Sequence, residues 1–469
     1  LLKHQEHRLD FFLQKNLLYL ARHLQTPSNG GGGNTPIQLH AFPFTNQDFY
    51  KVQSEGSRTS REEKCLADPR MKSVQQVADI ISALVLPSYD QVKKVMCSGC
   101  EGTSARTKDR TVLIVTSFLA RPLAFLLARL HPDVKVYILN LQPICPNGIF
   151  PNYRVSTQNF VDAIMKHEDD TERDESLIET YWKLEHALEA VFLADRMKEL
   201  CQQHQTKGCS SSGYYSWEEL QQILLGHNDR FIQVNAYSNH LVPSLENEST
   251  PRVHEVGPLA DAYIPPGSPP RALVNFLQRY SGERRPICVG FGSMVFPNPQ
   301  IVLQALQKID QPAVLVGSSL RVENIPDGAL KQFVSSYVYF TSNVPYPWLL
   351  PHCRMTICHG GAGVVHACLR AGIPCVVAPV MGDQHAWGSL LEAKGLGLLI
   401  RKQRMLDLTE KDIIVAVESI LSAMNGIVKT NSKTDSLLEH CHRLRESIRE
   451  DPQTGSEKLV IDLLGGVVD

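Results

Sequence analysis

From residue 286 onward, short runs of consecutive apolar residues alternate with longer stretches in which apolar positions recur every three or four residues. The runs at 287–290, 313–317, 337–340, 355–358, 375–378 and 397–400 are mostly bounded by Pro, Gly or polar residues, the pattern of strands buried on both faces. The stretches at 364–371, 386–394 and 409–424 have helical spacing, and Thr409 with Asp412 three residues later predicts an N-terminal cap. Strand and helix in alternation give an α/β fold with a parallel sheet and helices on both of its faces.

The first half of the chain repeats the alternation less regularly. It predicts a helix over 11–24 and strands over 37–41, 112–116 and 134–139. Between 169 and 203 the apolar residues Leu177, Tyr181, Leu184, Leu188, Val191 and Phe192 recur at helical spacing, so a long helix or helix pair is expected. Residues 257–270 hold five prolines and two glycines, which remove backbone donors and break any periodicity. The chain therefore divides into an N-terminal unit over 1–256, a linker over 257–285, a C-terminal unit over 286–424 and a helical segment over 425–469.

A chain of 469 residues is longer than one hydrophobic core usually supports, which agrees with two units. With 43% hydrophobic and 20% charged residues and a formal charge of -2, the chain has no overall pull toward nucleic acid or anionic lipid. Its longest apolar run, near 112–120, is about half of the 18 or so residues needed to span a bilayer. Twelve cysteines are scattered along the chain, and Cys288, Cys358, Cys368 and Cys375 lie inside apolar runs, which suits reduced thiols of a cytoplasmic protein. Cys97 and Cys100 have the spacing of a zinc or redox pair, but no second pair or nearby histidine completes a set of ligands, so a loop is expected and no metal site is assigned. The run Gly30–Gly33 has no strand directly before it and reads as a flexible insertion rather than a phosphate loop. The first residue is Leu1 rather than Met, which leaves open what precedes it.

The candidate chemistry lies in loops that follow the strands of the second half. Residues 356–364, TICHGGAGV, form a strand, a glycine-rich turn and the start of a helix. Gly361, Ala362, Gly363 and Val364 would present free backbone N–H groups and the positive end of the helix dipole to a diphosphate, and His359 could donate a hydrogen bond to a phosphate oxygen. Such a turn also serves merely to pack a helix on a sheet. After the next strand come Asp383 and Gln384, whose carboxylate and amide suit vicinal sugar hydroxyls, followed by Trp387; Asp383 could equally be a helix cap. A third loop, after the strand at 287, contains Gly292 and Ser293, and a fourth contains Val344 and Trp348, whose backbone and ring could hold a flat base. In an open parallel sheet these loops share the carboxyl edge, where ligands bind.

The segments GFGSM, NVPYPWLLP, CHGGAG and GDQHAWG, in this order, resemble those of UDP-sugar-dependent glycosyltransferases, and among them most closely the sterol 3-beta-glucosyltransferases. The resemblance implies a GT-B fold, two Rossmann-like domains facing a cleft. It implies that Gly292, Ser293, His359 and the backbone of residues 361–364 hold the diphosphate, that Val344 and Trp348 flank the uracil, and that Asp383, Gln384 and the adjoining Trp387 serve the sugar. Cys358 stands where a first histidine is common, and Val364 stands where a threonine or serine usually adds a phosphate hydrogen bond. The N-terminal half matches more loosely, at 17–24, 37–49, 141–151 and 236–243. The first strand of such enzymes and its glycine-rich loop, which carries the candidate base, are not found; Asp10, expected on a helix, is not assigned that role, and the catalytic residue stays unknown.

The implied reaction is inverting transfer of a hexose, with glucose as the first expectation, from a UDP-sugar co-substrate to a hydroxyl of a lipophilic acceptor such as a sterol. It uses no metal and no further cofactor. The acceptor half could touch a membrane surface peripherally. Two other classes stay open at this point: a UDP-sugar epimerase, and a non-catalytic protein that binds or senses a nucleotide sugar.

Overall fold

A computed structural model of the chain describes residues 9–14, 37–42, 89, 91–92, 94, 112–116, 121–131, 134–141, 215–242, 252–258, 269–292, 294, 296–322, 325, 328–380, 383–402, 407–425 and 437–450. The candidate helix over 169–203, residues 259–268 of the candidate linker, the Cys97–Cys100 pair and Gly30–Gly33 lie outside these residues.

Six short strands form the sheet of the second half: β7 (Ile287–Gly290), β8 (Ala313–Val316), β9 (Val338–Thr341), β10 (Met355–Cys358), β11 (Cys375–Val377) and β12 (Gly397–Leu399). All neighbours are parallel, in the order β12-β11-β10-β7-β8-β9. The residues of β7, β8, β10 and β11 are buried throughout, because helices cover both faces and leave no polar side to the strands. Chain order reverses between β7 and β10. At such a switch point the loops leaving the two strands diverge and open a crevice beyond the carboxyl edge.

The helices around this sheet are α4 (Pro299–Lys308), α5 (Ala329–Tyr337), α6 (Tyr346–Leu349), α7 (Ala362–Ala371), α8 (Gln384–Ala393) and α9 (Glu410–Met424), preceded by α3 (Arg271–Gln278) and followed by α10 (Leu437–Glu450). The cap expected on α9 is present. Thr409 Oγ1 accepts from the Asp412 N–H at 3.3 Å while Asp412 Oδ2 accepts from the Thr409 N–H at 2.9 Å, a reciprocal box that stabilises the helix by about 1 kcal/mol.

In the first half, β3 (Val112–Thr116), β4 (Val134–Asn140), β5 (Phe231–Asn235) and β6 (Val253–Glu255) form a second parallel sheet in that order. Helices α1 (Arg121–Leu130) and α2 (Trp217–Leu224) pack on it, with Phe125, Tyr215 and Phe231 in mutual edge-to-face contact at 5.0–5.8 Å. Leu9–Gln14 corrects the sequence reading: it is a strand, β1, paired in parallel with β2 (Ile37–Phe42), where a helix is expected and no strand ahead of residue 37 is foreseen. Asp10 therefore sits on a strand. The alternation of Leu9, Phe11 and Leu13 is the strand signal, and the further apolar residues at Phe12, Leu17 and Leu18 mask it with helical spacing.

Candidate active site

The geometry centres on His359, the residue that directly follows β10 at the switch point beside β7. Two glycines shape its surroundings. A Cβ at Gly361 would lie 2.5 Å from His359 Nε2, and one at Gly292, where φ is +59°, would lie 3.1 Å from Cε1. The imidazole thus occupies the space that side chains at these two positions would take. The sequence reading gives Gly361 the task of letting a ligand approach; its first task is to admit the histidine ring. Gly363 differs, since a Cβ there would meet nothing within 4 Å and the residue is exposed, leaving its backbone open to the crevice.

Helix α7 begins at Ala362 with Gly361 as its N-cap and no side-chain cap. The N–H groups of Ala362, Gly363 and Val364 thus form an uncapped positive end directly beside His359. The Val364 side chain itself is buried, so only its backbone faces this turn. Burial lowers the His359 pKa to about 4, and the nearby Gly290 backbone, which does not meet the ring in hydrogen-bonding geometry, opposes this in part. The imidazole is neutral at pH 7. Its Nδ1 is buried without a hydrogen-bond partner, an unusual state for such an atom.

The loop before α8 abuts the same place. A Cβ at Gly360 would lie 3.0 Å from the Gln384 carbonyl, so the two loops touch through backbone. Asp383 occupies the N-cap position of α8 but makes no capping bond; its Oδ2 accepts from Trp387 Nε1 at 3.0 Å. Burial raises its pKa to about 6 in spite of that bond. Gln384 is buried, and its Oε1 accepts from the Val380 N–H at 2.7 Å, which fastens the loop. Trp387 is fully buried, so its ring is not open to a ligand, and its indole N–H holds Asp383. In the fourth loop Val344 is buried in the core while Trp348 is partly exposed beside His352, and Tyr346 places its hydroxyl 2.3 Å from where a Cβ of Gly290 would be. Ser293 and Gly382 lie outside the described residues.

One residue of this region is absent from the sequence reading. His366, four residues into α7, is buried, pairs Nδ1 with the Ala362 carbonyl at 2.7 Å and accepts at Nε2 from the Ser238 N–H at 3.0 Å. Its ring also stands edge-on to Trp387 at 5.1 Å. Burial holds its pKa at about 4. The available signal is a single histidine on the apolar face of a predicted helix.

These three shifts set a pH dependence. Near pH 5 the unfolded chain carries protons on both imidazoles and none on the Asp383 carboxyl, whereas the folded chain carries one on Asp383 and none on His359 or His366. The unfolded state thus binds about one proton more, and these groups raise stability by roughly 1.4 kcal/mol per pH unit as pH increases through that region. Asp383→Asn removes the opposing proton and should add about one further proton to the slope. Urea midpoints of both proteins at four values between pH 4.5 and 6 measure this; equal slopes would show that Asp383 has an ordinary pKa.

The sequence of residues 300–434 matches a family model described as the C-terminal domain of erythromycin biosynthesis protein CIII-like proteins. Sterol 3-beta-glucosyltransferase UGT80A2 of Arabidopsis thaliana is 34% identical over 169 residues, which cover 34% of this chain and 24% of that protein. The sterol 3-beta-glucosyltransferase of Eremothecium gossypii is 33% identical over 140 residues, covering 29% of this chain and 11% of its own length. The match thus spans about a quarter or less of these curated relatives. Solved structures agree over nearly the whole chain. A UDP-glucose:anthocyanidin 3-O-glucosyltransferase crystallised with UDP covers 98% of it at a TM-score of 0.57 and 15% identity, and the calicheamicin glycosyltransferase CalG4 covers 98% at 0.55 and 15%. The chain has the GT-B fold of glycosyltransferases, and over about a third of its length it is similar to the sterol 3-beta-glucosyltransferases.

Proposed function

We propose that this protein is a glycosyltransferase that moves a hexose, glucose in the first instance, from a UDP-sugar to a hydroxyl of a lipophilic acceptor such as a sterol, with inversion at the anomeric carbon. The observation that carries the reading is the placement of an unpartnered, neutral His359 beside the uncapped first turn of α7 at the switch point of the sheet. Such an arrangement suits a diphosphate, whose oxygens accept from neutral N–H donors and are favoured by the helix dipole.

In the reaction the acceptor hydroxyl loses its proton to a base and its oxygen attacks the anomeric carbon. The bond from that carbon to the diphosphate oxygen breaks, and UDP departs with the electron pair. The N–H groups of residues 362–364 and His359 stabilise the charge that develops on the leaving oxygen, which lowers the barrier without a metal ion. Asp383, held by Trp387, is ionised above pH 6 and accepts from sugar hydroxyls. Trp348 and the backbone at Val344 receive the uracil. No residue is assigned as the base. The sterol is supported by the names of the relatives, and a sterol acceptor would be met at a membrane surface. The free, buried cysteines, among them Cys288, Cys358, Cys368 and Cys375, support a cytoplasmic location.

Calorimetric titration with UDP and UDP-glucose, followed by UDP release in the presence of a sterol in mixed micelles, tests the reading. Saturable binding of UDP-glucose and sterol-dependent UDP release are expected. Binding without release under any acceptor would favour a non-catalytic nucleotide-sugar protein, and no binding of either nucleotide would remove the donor site altogether.

A further inference from the structure

We propose that His366 is a positioning residue that ties the diphosphate-binding turn of α7 to the carboxyl edge of the N-terminal sheet, so that donor binding and the placement of residues 236–242 depend on each other. The inference rests on the donor site argued above. Three contacts carry it.

The first is within α7. Because Ala362 O accepts from a ring nitrogen, His366 carries its proton on Nδ1, and Nε2 is left as the acceptor for Ser238. The Ala362 carbonyl shares a planar peptide group with the Gly363 N–H, which points the opposite way, out of the helix end. Holding that carbonyl therefore fixes the direction of one of the donors that face the diphosphate. The second contact leaves the helix. The Ser238 N–H belongs to the segment that follows β5, and within that segment the Ala236 N–H donates to the Asn140 carbonyl at the end of β4 at 2.9 Å. Asn140 in turn donates through Nδ2 to Gln233 and Asn235 at 3.1 and 3.0 Å, all three side chains buried. Hydrogen bonds at Ala236 and at Ser238, joined by the two peptide units between them, thus link the carboxyl ends of β4 and β5 to the first turn of α7. The third contact reaches the sugar side. His366 and Tyr237 both stand edge-on to Trp387, at 5.1 and 6.2 Å, and Trp387 holds Asp383.

One turn further along α7, Arg370 donates to the Pro258 carbonyl at 3.2 Å, so the same helix face is fastened at two points, to the segment after β5 and to the start of the linker. His366 in addition binds the turn that carries the candidate donor-site N–H groups. A histidine does this with two nitrogens of opposite role; an apolar residue of similar size can fill the space but makes neither bond.

The experiment compares wild type, His366→Leu and His366→Gln, whose amide offers both a donor and an acceptor. Hydrogen exchange over residues 236–242 is followed with and without UDP-glucose, alongside the dissociation constant for UDP-glucose. Loss of the Ser238 bond in H366L should speed exchange of this segment in the free protein by about tenfold, the range of one buried hydrogen bond. In wild type UDP-glucose slows that exchange; in H366L it no longer does, while UDP-glucose still binds and exchange over 355–358 is unchanged. H366Q restores most of both effects. Should H366L not fold, His366→Asn, too short to span both partners, takes its place. Ligand-dependent protection of 236–242 that persists in H366L, or an H366Q protein no better than H366L, would overturn the role of His366 while leaving the donor site standing. Absence of nucleotide binding in wild type would remove the donor site and the coupling with it, leaving the change in free-protein exchange as a purely structural contact.

Discussion

Under the proposed function, His359→Ala should lower UDP-glucose turnover by about two to three orders of magnitude, the loss seen when one pre-set donor to a developing negative charge is removed. The ring is held in place by shape rather than by hydrogen bonds: Gly292 and Gly361 leave room for it, and its Nδ1 has no partner. A side chain so placed costs stability through its buried polar atom, so its removal trades a cavity against the relief of an unsatisfied group. The melting temperature should therefore fall by only a few degrees, about 2–4 °C per kcal/mol in a domain of this size. His359→Gln keeps an N–H donor and should recover about tenfold of the loss. A neutral imidazole with a pKa of about 4 also leaves the wild-type rate without a break near pH 6.5 from this residue. Steady-state rates at saturating acceptor, with calorimetric binding of UDP, separate these effects. A change of less than about threefold on H359A would take His359 out of the diphosphate site.

The C-terminal sheet is readable from sequence because its strands are local events. Ile287–Gly290 and Met355–Cys358 match the expected bounds, since a strand buried on both faces has to be apolar throughout and the flanking Pro286 and Gly360 interrupt it. Thr409 and Asp412 are readable for the same reason, a cap being closed within four residues. Leu9–Gln14 is not, because its partner lies more than twenty residues away and the pairing overrides a helical pattern. In the candidate site, the loops are legible and the directions of the side chains are not. Asp383 and Trp387, four apart, share one helix face, so their bond was open to inference. That Gln384 turns back to Val380, or that His366 meets Ser238 across 128 positions of sequence, depends on tertiary packing that no local rule contains.

Gly360→Ala should destabilise the protein by about 3–5 kcal/mol, and it should do so at the point where the two halves of the candidate donor site meet. Its φ of +83° lies in the left-handed region, which costs an alanine about 1–2 kcal/mol before any contact is considered. The added Cβ would stand 2.5 Å from Val377 Cγ1 and 3.0 Å from the Gln384 carbonyl, and neither can yield cheaply, since Val377 is buried in β11 and the carbonyl belongs to the first turn of α8. Any relief moves the turn at 359–361 away from the loop at 380–384. The melting temperature should drop by about 6–20 °C and UDP-glucose affinity should fall with it. Gly363→Ala, where a Cβ meets nothing within 4 Å, is the contrast: it keeps the fold, and any loss is confined to nucleotide binding because the methyl group enters the space open to the ligand. Thermal unfolding and UDP-glucose titration of the two variants distinguish a glycine required by packing from one required by the ligand. Equal melting temperatures for both would mean that the loops at 360 and 384 are not in contact, and that the diphosphate and sugar ends of the site are positioned independently.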